Sequence, residues 1–115
     1  MNHNLHGTLS FPNQENEIKN VTVYVSVEDI SKQDASSEIL CKKIFENVDI
    51  STKEVFPFSL KVPVSDNKAH LVVRAHVDTD NDGEVSKGDY ITTAMFSVIT
   101  RGHSDIIDVK LEKVK

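Results

Sequence analysis

Apolar residues alternate with polar ones along most of this chain, and this period of two strongly limits how it can fold. In the segment VTVYVSVE, residues 21–28, valine occupies every second position. The segment FPFSLKV, residues 56–62, alternates in the same way. Successive side chains of a β-strand point to opposite faces of a sheet, so each run presents one apolar face to a core. The pattern predicts an all-β protein.

Runs of this kind recur about seven times, with polar segments between them. Short strands with one buried face each favour two packed sheets, so we expect an antiparallel β-sandwich of the immunoglobulin-like or transthyretin-like kind. With 115 residues the chain suits a single domain, 1–115. The predicted strands cover residues 5–11, 21–28, 39–48, 56–62, 70–77, 90–98 and 106–114. The predicted connections cover residues 12–19, 31–37, 64–68 and 101–105, with at most one helical turn at 34–37.

The apolar faces of these strands predict the core. A residue in phase with its strand's apolar positions should point inward, and its neighbours on either side should point to solvent. The residues expected to be buried are Val23, Val25, Phe56, Phe58, Leu60, Val73, Phe96, Val109 and Leu111.

One connection carries a recognisable motif. Residues 78–89, DTDNDGEVSKGD, place acids at positions one, three, five and twelve and glycine at position six. This is the spacing of a twelve-residue EF-hand-like calcium loop, which wraps six to eight oxygens around one ion. We call this segment the acidic loop and predict that it lies between two strands and binds Ca²⁺. The expected ligands are Asp78, Asp80, Asp82, the Glu84 backbone carbonyl, Ser86 directly or through water, and Asp89.

The last ligand position limits the expected affinity. Asp89 stands where Glu is usual, and its shorter side chain reaches the ion less readily with both oxygens. We therefore expect a dissociation constant on the order of 10⁻⁵ to 10⁻³ M. The alternative is a solvated turn that binds no metal, because Asp, Asn and Gly are also common turn residues.

The charge of the chain is concentrated in the acidic loop. The formal net charge is −5, and the five acids and one lysine of residues 78–89 account for −4 of it. The sequence contains only two arginines, Arg74 and Arg101, and no basic stripe, which argues against nucleic-acid binding. No arrangement of nucleophile, base and oxyanion donor is visible, so we do not expect an enzyme.

Cysteine and targeting signals bear on the compartment. Cys41 is the sole cysteine, which excludes an internal disulfide, and its apolar neighbours suggest a small core residue. No apolar run reaches membrane-spanning length, and residues 1–12 lack the features of a signal peptide. The sequence as given is expected to be cytoplasmic, or periplasmic or extracellular if an export signal has been removed.

Three strand motifs resemble one bacterial family. Residues 5–9 (LHGTL) match its first strand, residues 21–31 (VTVYVSVEDIS) with Asp34 and Ala35 match its signature V-x-V-x-L-x-D-V-S-x-x-D-A, and residues 56–60 (FPFSL) match its I-P-F-x-L strand. The chain in these respects resembles the YbaY-type lipoproteins and the type III secretion lipoprotein chaperones, or pilotins. The acidic loop stands where that family usually has a shorter connection.

The resemblance implies a small non-enzymatic β-sandwich, often tethered to a membrane through a lipidated N-terminal cysteine. Pilotins help a secretin subunit to assemble in the outer membrane, so a protein partner is expected. Together, the loop and the resemblance predict a calcium-binding adaptor, chaperone or accessory module. The alternative is a structural or interaction module whose acidic loop binds no metal. Neither the partner nor the oligomeric state can be read from the sequence.

Overall fold

A computed structural model describes residues 2–12, 17–30, 38–51, 55–63, 71–93, 96–97 and 106–114, which form strands and loops. No helix among these residues is long and apolar enough to cross a membrane. The strands are β1 (Asn2–Ser10), β2 (Ile18–Asp29), β3 (Glu38–Ile50), β4 (Phe56–Pro63), β5 (Leu71–Asp78), β6 (Tyr90–Thr92), β7 (Phe96–Ser97) and β8 (Ile106–Lys113).

The strands form one continuous sheet in the order β3-β2-β5-β6-β8-β1-β4, with the short β7 pairing separately to β5. Strand β8 joins the two halves of this sheet. Residues 106–110 of β8 run parallel to β1, and residues 111–113 run antiparallel to β6. The two ends of the sheet approach each other, because Phe45 of β3 and Phe56 of β4 meet edge to face with centroids 5.0 Å apart. The sheet therefore wraps almost completely around one core.

This arrangement corrects the expected sandwich in two respects. The all-β class is confirmed, but β8 makes one sheet of the two separate sheets that we predicted. The pairing of β1 with β8 is parallel, whereas all pairings were expected to be antiparallel. Parallel neighbours need a long connection, and the first and last strands of a chain meet this condition because the rest of the chain connects them.

Most strand positions agree with the alternation, with one interruption. The predicted strand over 90–98 is divided into β6 and β7, which pair with different parts of β5.

The pairing of β2 with β3 is also irregular. Asn20 and Asn47 adopt positive φ angles, of 55° each, and the β2–β3 register shifts on either side of Val21. The predicted connections at 31–37, 64–68 and 101–105, including the helical turn, lie outside the described residues.

The predicted apolar faces enclose the core. Val23, Val25, Val109 and Leu111 are fully buried, while Phe58, Leu60 and Val73 are nearly so. Phe56 is half-buried at the margin, where it packs against the core cluster. The side chain of Phe96 lies outside the described part of the structure.

Gly7 and Phe58 show how closely this core is packed. They are directly opposite each other in the β1–β4 ladder. A Cβ atom at position 7 would lie 2.5 Å from Cζ of Phe58 and 2.7 Å from the Ile107 carbonyl oxygen. Glycine at this position therefore creates the space that the Phe58 ring occupies.

Phe58→Ala is expected to lower the free energy of unfolding by about 3–5 kcal/mol, because a buried ring would be replaced by a cavity. Urea denaturation measures this loss. Ser59→Ala on the exposed face of the same strand is the control, and it should change stability by less than about 0.5 kcal/mol. A loss below about 1 kcal/mol for Phe58→Ala would show that the ring contributes little to the core.

Candidate functional site

The acidic loop connects two neighbouring antiparallel strands. Asp78 is the last residue of β5 and Asp89 immediately precedes β6. Val77 and Tyr90 pair with each other, so the two ends of the loop lie side by side. Both terminal aspartates are fully buried, although the tip of the loop, residues 80–85, is exposed. The predicted position of the loop between two strands is confirmed.

Asp89 organises the base of the loop. One of its carboxylate oxygens accepts hydrogen bonds from the Thr79 backbone N–H at 2.9 Å and from the Thr79 hydroxyl at 2.8 Å. The other oxygen lies 2.8 Å from Nε2 of His76 and accepts from the Ser86 backbone N–H at 3.1 Å. The Ser86 hydroxyl is a further, longer donor at 3.4 Å. A buried carboxylate with five partners ties both ends of the loop together.

Asp78 is buried as deeply but is only half satisfied. Its Oδ2 accepts a hydrogen bond from the Gly83 backbone N–H at 2.7 Å. Its Oδ1 is buried and accepts no hydrogen bond from the residues that the structure describes. Gly83 has a φ of 81°, which is a conformation that glycine adopts without strain and that turns the loop back towards Asp78. The loop thus encloses an unpaired carboxylate oxygen.

The other two predicted aspartates lie on the exposed arm of the loop. The Ser86 hydroxyl donates to Asp80 at 2.9 Å, and the Glu84 backbone N–H donates to Asp82 at 2.9 Å. One carboxylate oxygen from each of Asp78, Asp80, Asp82 and Asp89 lies within 4.8 Å of the others. The structure therefore brings the four predicted aspartates together. The Glu84 side chain is exposed and lies outside this cluster, and its predicted contribution was the backbone carbonyl.

Contacts outside the motif fix the loop to the sheet. Asn81, with a φ of 57°, accepts from the Thr22 hydroxyl at 2.8 Å and donates to the Asn20 carbonyl at 3.0 Å. The backbone of Val114 accepts from Gly88 at 2.9 Å and donates to Asp89 at 2.7 Å. The loop is consequently attached to β2 on one side and to the end of β8 on the other.

His76 is a residue of this site that the sequence motif did not predict. It contacts Asp89 and stacks on Tyr24 with ring centroids 5.6 Å apart. Alternation along β5 was the available signal, because residues 76 and 78 share one face of the strand. Of the other histidines, His6 is exposed. The His3 side chain, His70 and His103 lie outside the described part of the chain.

The environments of the carboxyl groups shift their pKa values in opposite directions. Burial raises the pKa of Asp78, and the nearby Asp80, Asp89 and Asp82 raise it further, against the opposing bond from Gly83. Hydrogen bonding with Asp78 and then with Ser86 lowers the pKa of Asp80. Burial opposes ionisation of Asp89, but its bonds with His76, Thr79 and Ser86 prevail and lower its pKa.

A second candidate site lies where the sheet fails to close. A cleft of about 510 Å³ lies between β3 and β4, and this volume is within the usual range for binding sites. We call it the edge cleft. Cys41, expected in the core, is half-buried in its wall, where burial raises the pKa of the thiol. Its described lining residues are His6, Cys41, Lys42, Lys43, Ser59, Leu60 and Lys61.

Comparison with known proteins identifies relatives of this fold. The family model of the type III secretion system lipoprotein chaperone (YscW) matches residues 2–111, which confirms the resemblance predicted from the strand motifs. An alternative pilotin from the type II secretion system of Vibrio cholerae superimposes with a TM-score of 0.76 at 20% sequence identity. The alignment covers 100% of this chain and 99% of that pilotin chain. No curated protein matches the sequence.

Asp78→Asn is expected to stabilise the protein in chelator at pH 7 by about 1–3 kcal/mol, the usual range for an unpaired buried polar group. The amide removes the buried charge, while its oxygen can still accept from Gly83. Because folding raises the pKa of Asp78 above 3.8, the wild type loses stability as the pH rises through that folded pKa. Below its pKa in the unfolded chain, the Asp78 carboxyl is protonated in both the folded and the unfolded state. The difference in stability between the variant and the wild type should therefore disappear at about pH 3, roughly one unit below the reference pKa of aspartate. Urea denaturation at the two pH values measures this difference.

Asp89→Asn provides the comparison. Its pKa is lowered by folding, so its carboxylate stabilises the fold above the unfolded pKa and loses this effect as the pH falls through the folded pKa. The variant should be less stable than the wild type at pH 7 by about 2 kcal/mol or more. Equal destabilisation by both substitutions would contradict the different environments described for the two aspartates.

Proposed function

Because the chain belongs to the type III secretion system lipoprotein chaperone family, we propose that it is a non-enzymatic, pilotin-like chaperone that holds a segment of a secretin subunit. The observation that carries this proposal is the family match over residues 2–111. The shared fold of the Vibrio cholerae pilotin supports it. Fold alone does not determine function, so the partner must be argued from a surface of this chain.

The edge cleft is the surface that suits such a segment best. Strands β3 and β4 are the two ends of the sheet order, and each pairs with one neighbour among the described strands. An edge strand presents backbone N–H and C=O groups that an extended segment can pair with, a mode known as β-augmentation. Leu60 and Cys41 in the cleft wall offer apolar contact to its side chains. The cleft therefore favours an extended segment over a small molecule.

The charge of the edge cleft specifies the segment further. Lys42, Lys43 and Lys61 line it, and none of its described lining residues is acidic. This local charge contrasts with the formal net charge of −5 for the whole chain. Complementary charge accelerates association and excludes wrong partners. We infer that the bound secretin segment carries acidic residues next to apolar ones.

A secretin partner implies a location. We propose that the protein acts in the periplasm at the outer membrane, as the pilotin resemblance implies, instead of in the cytoplasm. The alternative predicted from the sequence, a plain interaction module whose acidic loop binds no metal, is equally compatible with partner binding at the edge cleft. The two hypotheses differ only in whether the acidic loop binds a metal.

Lys61→Glu is expected to weaken binding of the secretin subunit from the same organism by about tenfold, or about 1.4 kcal/mol. The reason is that it reverses a charge in the wall of the edge cleft. Biolayer interferometry with the purified secretin domain measures the dissociation constant, and added salt should reduce the difference between the wild type and the variant.

Lys110→Glu is the matched control, because Lys110 is also an exposed strand lysine but lies on β8, outside the lining of the edge cleft. It should bind within about twofold of the wild type, as expected for a distant surface charge screened by salt. Equal effects of the two reversals would show that the edge cleft is not the docking surface. A wild-type protein that fails to bind the secretin would overturn the chaperone role itself.

A further inference from the structure

We propose that the acidic loop binds one calcium ion through Asp78, Asp80, Asp82 and Asp89, with the Glu84 carbonyl and Ser86 completing the shell. This inference goes beyond partner binding and does not depend on it. The sequence predicts the loop from its spacing alone. The structure adds observations that distinguish an ion site from a solvated turn.

The buried Oδ1 of Asp78 is the observation that most strongly supports an ion site. Asp78 has no solvent exposure, and within the described part of the chain no donor bonds to its Oδ1. Buried polar atoms in folded proteins are almost always paired, and an exception calls for an explanation such as an ion. The other oxygen of the same carboxylate is held by Gly83 at 2.7 Å, so Oδ1 is fixed in direction. A solvated turn would expose this carboxylate to water.

The spacing of the four carboxylates is compatible with one calcium ion between them. Their converging oxygens lie within 4.8 Å of one another. Two oxygens on opposite sides of a calcium ion are about 4.6–5.2 Å apart, because each Ca–O bond is about 2.3–2.6 Å long. All four oxygens can therefore coordinate one such ion. Magnesium binds less readily in a loop of this kind, since it requires shorter bonds in a regular octahedron and retains several waters.

A different grouping of side chains offers a competing site. His76, Asp78 and Asp89 also converge within 4.8 Å, and a histidine with two carboxylates is a ligand set that zinc accepts. However, Nε2 of His76 already contacts Asp89 at 2.8 Å. The four-aspartate set supplies oxygen ligands alone and more negative charge, which favours a hard dication. We therefore assign the loop to calcium, with zinc as the alternative that the experiment excludes or detects.

Asp89 limits the strength of binding. Both of its oxygens are engaged by donors from Thr79, His76 and Ser86, so an ion must share or displace some of these bonds. Its side chain is also shorter than the usual glutamate at this position. Both features lead us to expect a dissociation constant on the order of 10⁻⁵ to 10⁻³ M, in the weaker part of the range for such loops.

Thermal unfolding with and without calcium tests the site. At a free calcium concentration one hundred times the dissociation constant, the melting temperature should rise by about 10 °C relative to chelator. Isothermal titration of calcium chloride into the chelator-treated protein should give one site per chain. Identical melting curves in calcium and in chelator would overturn the proposal.

Three variants test the ligand assignment. Asp78→Ala should abolish the calcium-dependent rise, and Asp82→Ala should reduce it, because Asp82 is exposed and water can partly replace its oxygen. Glu46→Ala, which removes one exposed acid from β3, is the control and should retain the full rise. If Asp78→Ala does not fold, Asp80→Ala takes its place, because Asp80 is exposed and its removal leaves the core unchanged. A full calcium shift in whichever of these two variants folds would contradict the assignment.

Magnesium and zinc chloride provide the last comparison. Magnesium at the same concentration should raise the melting temperature much less than calcium does. Equal stabilisation by magnesium would show that the proposed coordination is wrong. A zinc-specific rise that His76→Gln removes, without a rise in calcium, would assign the cluster to a transition metal and overturn the calcium site.

Discussion

The pairing of β8 with two different strands is the constraint on which the rest of this structure depends. Its first half lies parallel to β1 and its second half antiparallel to β6. Without β8, the pair of β1 and β4 would be separated from the other strands of the sheet. The buried side chains Val109 and Leu111, both with no exposure, anchor β8 in the core. The residue after β8, Val114, then binds the backbone of the acidic loop.

Joining the halves in this way determines where the two candidate sites lie. The sheet wraps round until β3 and β4 approach, and Phe45 and Phe56 are in contact there. The edge cleft lies between the same two strands and is lined by lysines. The acidic loop leaves the middle of the sheet order, between β5 and β6. Lys42 lies near both sites, because it lines the edge cleft and also a second cleft together with Gly83 and Val85 of the acidic loop.

The surroundings of the two buried aspartates of the loop shift their pKa values in opposite directions. Asp89 is satisfied by surrounding donors, which lower its pKa despite burial. Among the described residues no donor bonds to Oδ1 of Asp78, and its carboxylate lies close to three others, which opposes its ionisation. Metal-free, the loop thus combines a well-bonded base with an electrostatically unfavourable centre. A bound dication would remove that repulsion, although it would have to share or displace some of the hydrogen bonds to Asp89.

The sequence by itself determined the all-β class, the buried faces of the strands, the family and the four aspartates of the loop. These features depend on the local spacing of residues along the chain. Alternation directs side chains such as Val23 and Phe58 to the buried face of their strands, and the spacing of the twelve-residue motif brings its own aspartates together. Only the tertiary structure decided that β1 and β8 pair in parallel, that residues 90–98 contain two short strands, and that His76 contacts Asp89. It also decided that lysines of β3 and β4 line one cleft. These features depend on which distant strands become neighbours, and side-chain alternation is the same for every choice of neighbour.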